Sequence, residues 1–325
     1  MYNNQSRKYF EIFLTEYTQE RYKEKSGFSL NDKDCIALQK SIQNQSNLLS
    51  HINVKATKAN SGAAEFFDLS YPIAGKIDTR YHSRVPQSGF NPSHYVCQYT
   101  NYDVALKYSV IDAWTDASKD QNDFILQAKT CIERRIALDR IMVGFNGISS
   151  AMHSNSTTNR RLQDVNKGWL QVIREQAPER VVAGLQYGTG QTQRSLSALL
   201  RNAVNSHLSD ALRDDPLLVA IVGADLLPDP QIQANMDEKG LPDLAFHQQR
   251  QGGMRAASAA FFPGNSVLIT RLDNLSLYFN ANSHRLHYEN ESNVDQIALY
   301  QQTAEAFAVE NLDACLLLDD VTEVF

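Results

Sequence analysis

The stretch from Ser109 to Val143 contains neither Gly nor Pro, and it repeats apolar residues at helical spacing: Val110, Trp114, Ala117, Phe124, Ala128, Cys131, Leu138 and Met142. This pattern predicts one long helix and constrains the chain more than any other feature. Ser109 with Asp112 three residues on offers an N-terminal cap, Arg135 precedes Asp139 by one turn, and Gly144 with Gly147 supply a stop. At ~1.5 Å per residue such a helix spans roughly 50 Å, whereas an average globular helix has ~11–12 residues. A helix of that length is a scaffold along which a domain is arranged.

On its N-terminal side, Arg7 to Tyr22 sets Phe10, Phe13, Leu14 and Tyr17 at helical spacing among charged residues, and Ser26-Gly27 ends the pattern. A second helix opens at Asn31 or Asp32 and carries Cys35, Leu38, Ile42 and Leu49 on one face. Two readings fit this pair: an arm, or a helical hairpin packed on the main core. From Ile52 the period changes. Ile52, Val54 and Ala56 alternate, then Ala64–Leu69 and Tyr95–Tyr102 are rich in aromatic and β-branched residues, with Gly75, Pro86, Gly89 and Pro92 between them. This predicts a long two-stranded excursion with little core of its own, which should find its buried surface on a neighbouring molecule.

On the C-terminal side a polar loop, His153 to Arg161, leads to a helix around Trp169 and Ile173 that ends near Ala177-Pro178. Gly184–Gly190 is a Gly-rich loop, Leu196–Leu212 a helix, and Leu217–Val222 an apolar run of buried-strand type. After the Pro- and Gln-rich region from Pro228 to Gly253, strands are expected at Val267–Thr270, Leu275–Phe279, Arg285–Tyr288, Phe307–Val309 and Cys315–Leu318. Helices first, mixed elements next and strands last indicate an α+β fold rather than an alternating α/β one.

Composition and motifs give no reaction to this fold. With 325 residues, 42% hydrophobic and 21% charged, the chain is an ordinary globular one, and its net charge of -6 argues against a broad basic surface for nucleic acid. The N-terminus MYNNQSRKYFEIFL has no apolar h-region and no segment is apolar enough to span a membrane, so cytosolic synthesis without membrane attachment is expected. Cys35, Cys97, Cys131 and Cys315 form no C-x-x-C pair and read as free thiols. Gly188-Thr189-Gly190 lacks the Lys-Ser/Thr of a phosphate-cradling P-loop. His284 and His287, three apart in a strand region, point to opposite faces and make a poor metal pair. The doublets Asp214-Asp215 and Asp319-Asp320 read as solvated strand-end carboxylates, and no serine lies in a G-x-S-x-G elbow. No catalytic residue, cofactor or metal is expected, and a structural protein is the better reading.

The segment Ile141-Met142-Val143-Gly144-Phe145-Asn146-Gly147 is followed in order by Leu162-Gln163-Asp164-Val165, Gly168-Trp169-Leu170-Gln171 and Glu175-Gln176-Ala177-Pro178-Glu179-Arg180-Val181. Then come Asp215-Pro216, Ile221-Val222-Gly223, Phe262-Pro263, the run from Leu268 to Tyr278, and Ser283-His284-Arg285. Together these resemble the major capsid proteins of phage P2 and its relatives, over nearly the whole chain. The resemblance implies a Hong Kong 97-type (HK97-like) capsid fold. It implies an N-terminal segment over 1–28, an N-arm over 29–59, and an E-loop over 60–101. A peripheral domain would take 102–148 and 263–325 with a spine helix at 109–143, and an axial domain 149–262.

It further implies a virion protein, assembled in the host bacterial cytoplasm, that self-assembles into hexamers and pentamers of an icosahedral procapsid around the double-stranded DNA of a tailed phage. Its partners would be copies of itself, an internal scaffold and maturation protease, a portal protein, and DNA bound without sequence specificity. The family's maturation cleavage maps to Phe28-Ser29. Lys76 lies in the loop that some proteins of this fold cross-link to a neighbour's Asn, but P2-type shells are not expected to do so. Within this frame Trp114 and Trp169 are expected as core anchors, and Gly144 and Gly147 as the exit from the spine helix. The competing readings are an encapsulin-like nanocompartment shell and a small cytosolic enzyme using the loop at Gly188.

Overall fold

The computed structural model describes residues 4–17, 28–29, 32–64, 74–84, 92–227 and 243–325. Its helices are α1 (Asn4–Tyr17), α2 (Asp32–Asn44), α3 (Asn47–His51), α4 (Tyr108–Ala117), α5 (Gln121–Asn146), α6 (Trp169–Gln176), α7 (Leu196–His207) and α8 (Asp210–Arg213). The single helix expected over Ser109–Val143 is therefore two. Ser118 ends α4, its hydroxyl donating to the Trp114 carbonyl (2.7 Å) and its N–H to that of Thr115 (3.2 Å). Asp120 then adopts an extended backbone and caps α5 by accepting from the Asp123 N–H (2.9 Å), while the Asp123 carboxylate accepts from the Lys119 N–H (2.9 Å). Local side-chain bonds to the backbone compete with helix continuation, and here they win without any Gly or Pro.

The expected Ser109 cap is not formed either: Lys107 holds the N-cap position with no side-chain bond. α5 runs through Gly144 to Asn146, so Gly147 alone follows its last residue. Two further helices are shorter than expected, the first for the same reason. Ser46 interrupts the helix read through Leu49 and caps α3 by accepting from the Leu49 N–H (2.9 Å), and the helix read over Leu196–Leu212 divides into α7, capped by Ser195, and α8.

The strands are β1 (Phe28–Ser29), β2 (Asn53–Thr57), β3 (Ser61–Ala63), β4 (His94–Val96), β5 (Gln98–Asn101), β6 (Val104–Lys107), β7 (Val181–Ala183), β8 (Gln186–Gly188) and β9 (Val219–Val222). They continue with β10 (Leu244–Phe246), β11 (Arg255–Ala259), β12 (Val267–Thr270), β13 (Leu275–Asn280), β14 (Arg285–Glu291), β15 (Gln296–Val309), β16 (Cys315–Asp319) and β17 (Thr322–Val324). One sheet runs β1-β14-β15-β13-β2, with β5 and β6 also paired to the long β15. Between β5 and β6 the register against β15 continues, but a side chain takes over one bond: the Tyr102 N–H donates to the Gln301 carbonyl (2.7 Å), and the Asp103 carboxylate accepts from the Gln301 N–H (3.2 Å).

The second sheet, β10-β11-β9-β12-β16-β7, divides the hydrophobic interior. Val219, Ile221, Leu268, Cys315 and Leu317 face one core with α5 and α6, whereas Ala220, Val222, Val267, Ile269, Leu316 and Leu318 face another with α7. Burial on both faces is why these strands read as unbroken apolar runs instead of alternating.

α1 packs on α4 and α5 through Phe10, Phe13, Leu14 and Tyr17, all buried, so the N-terminal helices lie on the main core. The expected excursion is closed at its root by β3 against β4, with Gly62 opposite Tyr95. The Tyr95 ring stacks on Tyr278 at 4.4 Å and fixes this stalk to the first sheet. Of the excursion, residues 74–84 are all exposed. The Ser26-Gly27 stop, most of the strand at Ala64–Leu69, Pro86 with Gly89, and the stretch from Pro228 to 242 lie outside the described residues.

Candidate functional site

With no metal-holding cluster among the described residues to organise around, the candidate site is the joint where α5 meets both sheets. Trp169, at the start of α6, is fully buried; its indole N–H donates to the Ser276 carbonyl (2.9 Å), and Phe145 and Phe307 meet it edge-on at 5.3 and 5.1 Å. The ring lies flat on Gly144, where a Cβ would stand 2.6 Å from Cε3. A Cβ on Gly147 would be driven into the Asn166 carbonyl, and one on Gly168 would stand 2.7 Å from the Gly144 carbonyl carbon. Gly168 also donates its N–H to the Gly147 carbonyl (3.0 Å). The glycines thus serve close approach between α5 and the loop entering α6. Gly144, expected as a helix exit, is instead a seat for Trp169. Trp114, expected as a core anchor, lies half-buried at the margin of the core.

Beneath the joint is a buried ion pair. Arg140 donates to Glu305 Oε2 from Nε (3.0 Å), its Nη2 stands in ion-pair contact with the same oxygen (2.8 Å), both residues are 1% exposed, and the Tyr102 hydroxyl donates to Oε1. Burial works against the Arg140 charge, but Glu305 and Tyr102 outweigh it and hold the guanidinium above its ordinary value. Burial, then Glu305, raise the Tyr102 phenol well above its usual range.

His284, also fully buried, has no hydrogen-bond partner for either ring nitrogen among the described residues, and burial followed by Arg140 pushes its pKa down to about 4. This gives an acid sensitivity of definite sign. Above the unfolded value of ~6.5 the ring is neutral in both states; between there and about 4 only the unfolded chain takes up the proton, so stability falls as pH falls. The loss should reach about 3 kcal/mol near pH 4. Urea midpoints at pH 7 and pH 4.5 should converge for His284→Leu relative to the unaltered chain. An equal pH response in both would remove His284 from the account. Glu133, whose carboxyl is raised by burial, acts in the opposite direction and is common to both proteins.

Two polar clamps tie distant segments to this frame. Asp243, buried at the start of β10, accepts from the Ser46 hydroxyl and from the N–H groups of Asn47 (3.1 Å) and Leu48 (3.3 Å), and pairs with Arg134 (3.2 Å). One carboxylate therefore caps α3 and pins it to α5. At the stalk, Gln176 extends the edge of β4 like a further strand, accepting from the His94 N–H (2.7 Å) and donating to its carbonyl (2.8 Å).

The other residues singled out from sequence scatter over the fold. Phe28 and Ser29 form β1 and pair antiparallel with Leu286 and Arg285. Gly188 and Gly190 have φ of +117° and +78° in a turn between β8 and α7, and Lys76 is an exposed residue of the excursion. Asp319 is held by Arg174 (2.8 and 3.1 Å), and His287 lies on β14 beside Glu289. Among the described residues no group of three His, Cys, Asp or Glu is placed to hold a metal ion, and no helix is long and apolar enough to cross a membrane. Sequence reading missed Arg140, Glu305, Asp243 and Gln176. The first had a signal: Arg140 falls on the apolar face of α5 with Ile136, Ala137 and Ile141.

A family described as phage major capsid protein, P2 family, matches residues 6–321. The chain is 31% identical over 314 residues to the capsid proteins of Escherichia phage P2, covering 90% of this chain and 87% of that one. It is 32% identical over 304 residues to the major capsid protein of Serratia phage KSP20, covering 88% and 86%. Among solved structures it is similar to a chain of the satellite phage P4 procapsid that includes the size determination (Sid) protein, with a TM-score of 0.78, 29% identity and 99% of each chain covered.

Proposed function

We infer a shell-building role for this chain, which belongs to the P2 family of phage major capsid proteins: it is the major capsid protein of a tailed phage, and many copies of it assemble into the capsid. The observation that carries this reading is the correspondence of the whole chain to a procapsid subunit. The exposed excursion on a two-strand root is consistent with it, because such a limb buries surface only on a neighbour.

Hexamers and pentamers of the chain would close an icosahedral shell around double-stranded DNA, with an internal scaffold and protease and a portal as partners. The segment assignments follow the same reading, with residues 29–59 as arm, 60–101 as E-loop, α4 and α5 together as spine, and 149–262 as axial domain. Family membership favours this over a cargo-holding nanocompartment, and the role is structural rather than enzymatic. A cut between Phe28 and Ser29 would leave α1 held by non-covalent contacts alone, the packing of its apolar face and the bond from the Tyr17 hydroxyl to Gln301 (3.3 Å).

Size-exclusion chromatography with negative-stain microscopy of the expressed chain should show capsomers and closed shells; a chain that stays monomeric under all assembly conditions would overturn the reading. Intact mass spectrometry of filled particles should show loss of residues 1–28, and a full-length chain there would reject the cleavage.

A further inference from the structure

We propose that the pocket between α7, α8 and the turn at Gly252-Gly253 binds a phosphate-ester oxyanion. This cavity of about 270 Å³ is lined by Arg201, Arg213 and Arg250 together with Asp214 and Asp215. Two of the guanidinium groups converge on one residue. Arg201 Nη1 lies 2.9 Å from where a Cβ on Gly253 would stand, and Arg250 Nη1 donates to the Gly253 carbonyl (3.1 Å). Neither has a carboxylate partner among the described residues. The third, Arg213, pairs with Asp210 (2.6 Å) and donates to the Leu208 carbonyl (2.9 Å).

Of the two carboxylates, Asp215 already accepts from the Leu217 N–H (2.8 Å) and faces Arg271 (3.6 Å), which leaves Asp214 as the opposing charge. Neighbouring like charges repel, and an anion between them reverses the sign of that interaction. The floor is held before any ligand arrives: Gly252 and Gly253 have φ of +60° and +88°, and the Gly252 N–H donates to the Ser197 hydroxyl (2.9 Å). Any side chain at Gly253 would crowd Arg201. Guanidinium forks match two oxygens of a phosphate, which a single ammonium does not.

The oxyanion has two sources, a nucleic-acid backbone or free phosphate. The first rests on the shell reading, and on a chain of net charge -6 it would be a local contact with a few phosphates only.

The test uses the full chain, a fluorescein-labelled single-stranded 15-mer of DNA followed by anisotropy, and inorganic phosphate as competitor. The double variant Arg201→Gln/Arg250→Gln should bind the oligonucleotide at least tenfold more weakly at 50 mM salt. Its slope of log affinity against log salt should be shallower by about 1.4, the value for two single-strand phosphate contacts. Displacement by millimolar phosphate supports a free-phosphate source, and oligonucleotide binding without displacement supports the backbone; both support the site. Unchanged binding in a double variant with an unchanged melting temperature overturns it, as does a wild-type chain that binds neither probe. Should the double variant fail to fold, Asp214→Asn decides: tighter binding supports the pocket and unchanged binding overturns it. Shell formation, scored by microscopy on the same samples, is read separately, so failure of the pocket and failure of the shell reading are distinguishable.

Discussion

Glu305→Leu should destabilise the unassembled chain by about 3–5 kcal/mol, the cost of leaving a buried charge without its partner. Arg140 and Glu305 are each 1% exposed, the guanidinium reaches the carboxylate through two nitrogens, and Tyr102 donates to the remaining oxygen. With the carboxylate gone, Arg140 is left with the neutral Tyr102, whose ring lies 5.6 Å from the guanidinium, and the Tyr102 hydroxyl loses its Glu305 acceptor. Arg140→Met should cost a similar amount from the other side. The double variant Arg140→Met/Glu305→Leu should recover most of either loss, because an apolar pair of similar volume needs no compensation. Urea unfolding of all four proteins measures the coupling; single variants within ~1 kcal/mol of the parent would show that water reaches the pair.

Gly144→Val should abolish normal particles. The substitution places branched carbon where Trp169 already stands, on a residue whose backbone belongs to the last turn of α5. The indole must leave its seat, losing the bond to the Ser276 carbonyl and its edge contacts with Phe145 and Phe307. Overpacking of this kind costs about 1–3 kcal/mol, and a lost buried hydrogen bond adds about 1. Gly75→Ala is the matched control, since a Cβ there meets nothing within 4 Å. Thermal melting and particle counts by negative stain should separate the two variants. Normal shells from Gly144→Val would remove the Gly144–Trp169 contact from any part in assembly.

Much of this architecture was legible before folding. Amphipathic spacing located α1, α2, α5 and α6, the apolar run at Leu217–Val222 announced a buried strand, and strands were expected where β12 and β16 form. The root of the excursion followed from the change to period two after Ile52. Where the reading failed, a local competitor had no strong signature: Ser118 and Asp120 divide the expected long helix into α4 and α5 with side-chain bonds that periodicity does not register.

What the sequence by itself determined was each segment's preferred backbone and which of its faces sought burial, because both follow from neighbours within a few residues. The tertiary structure alone decided which glycine met Trp169, that Arg140 met Glu305, and that Asp243 reached back to Ser46. Those pairings join residues 25, 165 and 197 positions apart, and their energies depend on distances that exist only once the chain has closed upon itself.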